Sequence, residues 1–174
     1  LIENEGARMG EMFNAKGKLN IPLEGTISIP KSKIQKKAGQ LVVNEAYCSK
    51  GHDLMSEVKI DNEPGIHFIY TDKTGKKETD IVISPVVRKC RKKILKGEGF
   101  RKNEIVKILC PICRTELDVM FDCECGAPIY LFYIDKQRNY YYGQSFCSRI
   151  GCIKASQLRF SQDMLQEFII KHVF

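Results

Sequence analysis

Cysteine is the residue type through which this chain can do chemistry. It has eight cysteines in 174 residues, and four of them fall in CPICRTELDVMFDCEC, residues 110–125. Thiol pairs can form disulfides, hold a metal ion as thiolates, or act as redox catalysts. Cys110-Pro-Ile-Cys113 is a C-x-x-C turn, in which both sulfurs can face one ion while backbone N–H groups point at sulfur. Cys123-Glu-Cys125 is a tighter pair, followed by Gly126, which can supply the positive φ such turns use. The intervening RTELDVMFD alternates at Leu117, Val119 and Phe121 and reads as a short strand. Two knuckles at the ends of a strand or hairpin form the local plan of a zinc ribbon. They predict a Cys₄ site of Cys110, Cys113, Cys123 and Cys125.

The other motifs are incomplete alone. Cys48-Ser-Lys-Gly-His52 sets a thiol and an imidazole four apart around a glycine turn, and Cys147-Ser-Arg-Ile-Gly-Cys152 sets two thiols five apart. Together they make Cys₃His, a standard structural zinc set. That pairing predicts a clamp tying residues 48–52 to 147–152. The alternative is a solvated His52 and three core thiols. Cys90 stands in RKCRKK, where neighbouring cations favour the thiolate. It reads either as a redox-sensing thiol or as a lone side chain packed inward, since a nucleophile also needs a base and a substrate site. His67 and His172 are not at ligand spacing from a cysteine.

The elements that must position these groups are mostly strands. Residues 1–18 are polar, with Gly6, Gly10 and Gly17, and 19–30 alternate around two prolines, as in an edge strand. KSKIQKK reads as a charged connector. This gives a polar N-terminal arm with an edge strand, residues 1–40, and a two-zinc β domain, residues 41–174. Within it QLVVNEAY, LMSEVKID and IVKIL read as strands. GIHFIYT–DKTGKK–ETDIVIS and PIYLFYID–KQRN–YYYGQSF read as hairpins. A C-terminal helix follows, with Ser161 as cap, Asp163 in the first turn, and Met164, Leu165, Phe168 and Ile169 on one face. That face covers the core or forms a dimer surface. The expected class is mainly β: zinc-ribbon-like β-hairpins with two zinc sites and one C-terminal α-helix.

Bulk properties bound the function. The chain is long enough for one sizeable core, so it need not be stapled by bridges. No apolar run approaches the ~20 residues that span a bilayer, and no secretory leader pattern opens the chain. Leu1 in place of Met leaves a processed or truncated start open. The expected location is cytoplasmic, where thiols stay reduced and metal is favoured over disulfides. Residues 88–107 hold nine basic and two acidic side chains, a net of +7 that equals the formal excess of the whole chain. Arg88, Lys89, Arg91, Lys92 and Lys93 could bind phosphates, part of the stretch could offset the charge of a thiolate–zinc site, or it could be a solvated face. Tyr140, Tyr141 and Tyr142 offer base stacking, but a strand lets at most two share a face.

Little points to catalysis. There is no Gly-rich phosphate loop and no H-E-x-x-H, and two four-ligand sites leave no open metal position. Taken together, CSKGH, CPIC, CECGAPIY and CSRIGC resemble bacterial zinc-ribbon-like proteins with paired cysteine motifs, themselves uncharacterised. The resemblance covers residues 48–152, implies that the four motifs belong to one design, and carries no activity with it. The sequence therefore predicts two Zn²⁺ per chain in a binding module, with a protein as partner. A redox or metal-handling protein and a nucleic-acid binder are the alternatives, as is iron in the Cys₄ site. Oligomeric state is left open.

Overall fold

A computed structural model describes residues 34–173, apart from 90, 141, 142 and 156–158 and the side chains of 164, 165, 168 and 173. Eleven strands and one α-helix follow in order: β1 (Ile34–Lys37), β2 (Gln40–Val43), β3 (Met55–Ile60), β4 (Glu63–Thr71), β5 (Glu78–Ile83), β6 (Lys92–Lys96), β7 (Lys107–Leu109), β8 (Asp118–Asp122), β9 (Pro128–Phe132), β10 (Gln144–Cys147), β11 (Arg159–Phe160) and α1 (Ser161–Val173). The mainly-β class read from the sequence holds. The edge strand expected at 19–30 lies outside the described residues. Part of the expected connector, Ile34–Lys37, is instead strand, pairing antiparallel with β2 across the positive-φ turn Ala38-Gly39.

Two antiparallel sheets form the body. The first runs β3-β4-β5-β6, with β7 beside β4; the second runs β11-β10-β9-β8. β3 and β7 flank the same edge of β4: Met55 is opposite Ile66, and Leu109 is opposite Ile69. The two expected hairpins appear as β4–β5 and β9–β10. Tyr141 and Tyr142 lie outside the described residues, and Tyr140 packs with Tyr47, Leu131 and Tyr133.

The alternation in these strands decides the core. Phe68 of β4 meets Phe132 of β9 and Phe146 of β10, each with ring centroids 5.5 Å away, and the latter two rings are 6.3 Å apart. These tilted contacts, between fully buried rings, join the two sheets into one hydrophobic core. α1 begins where β11 ends. The Ser161 hydroxyl donates to the Tyr140 carbonyl and so fastens the helix start to the loop between β9 and β10. Among the described residues no helix is long and apolar enough to cross a membrane.

Candidate metal centres

Each cysteine motif folds as a tight turn, the first closed by the Tyr47–Asp53 bridge and the others next to strand ends. In the first, the Cys48 N–H donates to the His52 carbonyl at 3.1 Å and the Gly51 N–H to the Cys48 carbonyl at 2.9 Å. In the second, between β7 and β8, Arg114 N–H donates to Cys110 at 2.9 Å and Cys110 N–H to Thr115 at 2.9 Å. The third joins β8 to β9, with Gly126 N–H on the Cys123 carbonyl at 2.7 Å. The fourth follows β10, with Cys152 N–H on the Arg149 carbonyl at 3.1 Å.

One left-handed residue bends each turn: Gly51 (φ 83°), Arg114 (φ 58°), Gly126 (φ 83°) and Gly151 (φ 86°). Glycine adopts this conformation at no steric cost, whereas arginine does not. Arg114 directly follows the C-x-x-C, and its guanidinium pairs with Glu78.

The turns assemble two four-ligand groups. Cys48 Sγ, His52 Nδ1 or Nε2, Cys110 Sγ and Cys113 Sγ lie within 4.8 Å of one another, and so do the four sulfurs of Cys123, Cys125, Cys147 and Cys152. In the first group Cys48 Sγ is 3.4 Å from His52 Nδ1. In the second, Cys125 Sγ is 3.5 Å from Cys147 Sγ, and Cys123 Sγ is 4.0 Å from Cys152 Sγ. Each group could hold a metal ion.

All eight residues picked out from the sequence therefore sit in these groups, but the expected pairing is wrong. Cys110 and Cys113 do not share a group with Cys123 and Cys125, and the clamp from 48–52 to 147–152 does not exist. The reason is geometric. β8 runs from the second turn to the third, and five strand residues separate its ends by roughly 16 Å, too far for one ion. Strand pairing brings other neighbours together. β9 and β10 are antiparallel with Ile129 opposite Cys147, so the turn entering β9 meets the end of β10. The chain entering β3 and the chain leaving β7 meet on the shared edge of β4.

Backbone donors prepare the sulfurs. Ile112 N–H points at Cys110 Sγ at 3.4 Å, His52 N–H at Cys48 Sγ at 3.4 Å, and Arg149 N–H at Cys147 Sγ at 3.5 Å. Burial pushes the Cys110 thiol up to about 11. Burial would also raise Cys113, but the Thr115 hydroxyl and N–H, with Cys110 and His52, bring it down to about 6. In the second group burial raises Cys123 and Cys147. Cys125 goes the other way, to about 7: burial is outweighed by the Ala127 N–H, the Arg149 side chain and the neighbouring thiols. Each group thus keeps one acidic thiol beside thiols that burial raises: Cys113 beside Cys110, and Cys125 beside Cys123 and Cys147.

Arg149 was not singled out in the sequence. Its Nη2 donates to the Cys125 carbonyl at 2.9 Å and its Nη1 to the Asn103 carbonyl at 3.1 Å. A cation is thereby held against the all-sulfur group, whose dication complex would carry a net −2. The clue was its place inside CSRIGC, between two ligands. Thr115 was missed too.

The remaining candidates lie elsewhere. Lys92 and Lys93 are exposed on β6, Arg88 and Arg91 are exposed before it, and Lys89 is half-buried. Arg91 pairs with Asp61 at 3.1 Å. His67 is half-buried 3.4 Å from Asp80, and His172 is exposed on α1; neither joins a group. Cys90 lies outside the described residues. No family model matches the chain, and no curated protein or solved structure matches it significantly.

Proposed function

We propose that this chain is a zinc-stabilised binding module whose two ions are structural. The observation that carries this reading is the assembly of two groups of four soft or borderline donors; four protein ligands would fill a tetrahedral ion and leave no position for substrate. Cys₃His and Cys₄ sets suit tetrahedral Zn²⁺, and binding free energy there is folding free energy. The sequence resemblance to zinc-ribbon-like proteins points the same way.

A protein is the partner we favour. Ile112, 59 % exposed, stands between Cys110 and Cys113, and Ile153, 79 % exposed, follows Cys152. Apolar side chains held in water on turns that an ion would make rigid suit the apolar pockets of a protein surface. The second reading, a nucleic-acid binder, draws on the exposed Lys92, Lys93 and Lys96 of β6.

Elemental analysis of protein purified without added metal tests the module. Two zinc per chain, with loss of near-ultraviolet ellipticity on chelation, is the expected result. Iron with visible absorption, or metal-free protein that stays folded, overturns it. Partner capture that Ile112→Asp abolishes supports a protein. Nucleic-acid binding that falls about a thousandfold between ~50 and ~200 mM salt would replace it with the second reading.

A further inference from the structure

A small cleft of about 80 Å³ opens where the first sheet meets the chain leaving β10. Its cationic side is formed by Lys89, Arg91 and Lys92, and among the described residues no carboxylate lines it. Ser148 also lines it; it is 1 % exposed, and its Oγ has no hydrogen-bond partner. Tyr70, 5 % exposed, contributes a phenol. A buried hydroxyl left unpaired forfeits its hydration, which makes an orphan such as Ser148 costly unless something binds to it.

The charges are arranged for an anion. Arg91 is fastened to Asp61, whose other carboxylate oxygen accepts from Ser84 at 2.7 Å, so its charge is partly offset. Among the described residues neither Lys89 nor Lys92 has a carboxylate partner. Cys147 also lines the cleft, but its sulfur belongs to the metal group. Several ammonium and guanidinium donors, with one buried hydroxyl and a phenol, match a compact, multiply charged oxygen anion better than a neutral or cationic guest.

We propose that this cleft binds a phosphate-class oxyanion, held by Lys89, Lys92 and Arg91 and by the Ser148 hydroxyl. It is distinct from a nucleic-acid surface: one anion enters one cleft instead of many phosphates lying along the length of β6. The proposal does not depend on the partner reading or on which metal fills the two groups.

Isothermal titration of the metal-loaded full chain tests it, with orthophosphate in one arm and ribose 5-phosphate in the other. One saturable site per chain is expected in at least one arm. Ser148→Ala should weaken it about tenfold or more, since hydrogen bonds to charged groups are the stronger ones. Lys92→Met, on an exposed strand and so free of folding risk, should weaken it at least as much. Orthophosphate binding as tightly as the sugar phosphate identifies a free anion; tighter binding of the sugar phosphate identifies the end of a larger ligand. The cobalt-substituted protein should keep its d–d spectrum when phosphate is added. No saturable binding in either arm, indifference to both substitutions, or a shifted cobalt spectrum overturns the proposal.

Discussion

The Arg149 guanidinium donates to the carbonyl oxygen of Cys125 at 2.9 Å while its own backbone N–H points at Cys147 Sγ at 3.5 Å. One residue thus touches both halves of the all-sulfur group, the turn before β9 and the turn after β10. Groups around a metal site that orient its ligands and offset its charge typically change metal affinity 10- to 100-fold. Arg149→Met should therefore weaken metal binding at this group by about that factor and leave the Cys₃His group unchanged. Competition with a chromophoric chelator resolves the two affinities. Equal weakening at both groups would mean that Arg149 acts on the fold as a whole.

The ligand sets make a second expectation sharp. Cys48→Ser should empty or loosen only the group with His52, Cys110 and Cys113, and Cys152→Ser only the group with Cys123, Cys125 and Cys147. Cobalt substitution distinguishes them, because an all-thiolate site and a three-thiolate site with one imidazole absorb differently. Cys48→Ser that spared the Cys110 group and stripped the Cys147 group would refute the geometry.

Which residues could serve as ligands was legible in the sequence; which of them gather into one group was not. Spacing marks a turn that can present ligands, and all four turns were visible in CSKGH, CPIC, CECG and CSRIGC. Pairing depends on strand direction and register, which lie in long-range contacts such as Ile129 with Cys147 and Leu109 with Ile69. Treating Cys110–Cys125 as one site overlooked that an intervening strand holds its ends apart. The hairpins β4–β5 and β9–β10 were readable from β-branched and aromatic runs around polar loops. The strand at Ile34–Lys37 was not, because IQKK has one apolar residue and its partner lies in the next segment.

Arg114 offers a test of stored backbone strain. It holds φ at 58°, where the other three metal turns use glycine. Arg114→Gly should relieve the steric cost of a Cβ in this region while giving up an exposed ion pair with Glu78, a contact of small worth in water. The metal-loaded protein should melt higher by about 2–4 °C. Arg114→Ala keeps the Cβ and loses the pair, so it should melt no higher than the parent. Calorimetry on the three proteins orders them; alanine melting as high as glycine would show that the conformation carries no strain.

Acid should remove the ions, and the buried thiols fix the sign. Metal binds thiolate, so every thiol still protonated must release its proton when the ion enters. Burial raises Cys123 and Cys147, and Cys110 is pushed up to about 11. At neutral pH these groups hold their protons in the metal-free protein. Cys125, brought to about 7 against the effect of burial, is then roughly half ionised, and Cys113, brought to about 6 in the same way, is mostly ionised. Metal uptake by the all-sulfur group near pH 7 should therefore release at least about two protons, countable by titration in buffers of different ionisation enthalpy. With two thiols to deprotonate, its apparent affinity should fall at least about a hundredfold for each unit the pH drops. The group with Cys113 should weaken more steeply once pH passes below about 6, because that thiol then competes for protons as well. Rising pH has the opposite effect, strengthening both sites until the raised thiols ionise unaided. Since ion binding stabilises the fold, unfolding should accompany metal loss on acidification. Affinity flat between pH 7 and 5 would mean that these sulfurs do not bind the ion as thiolates.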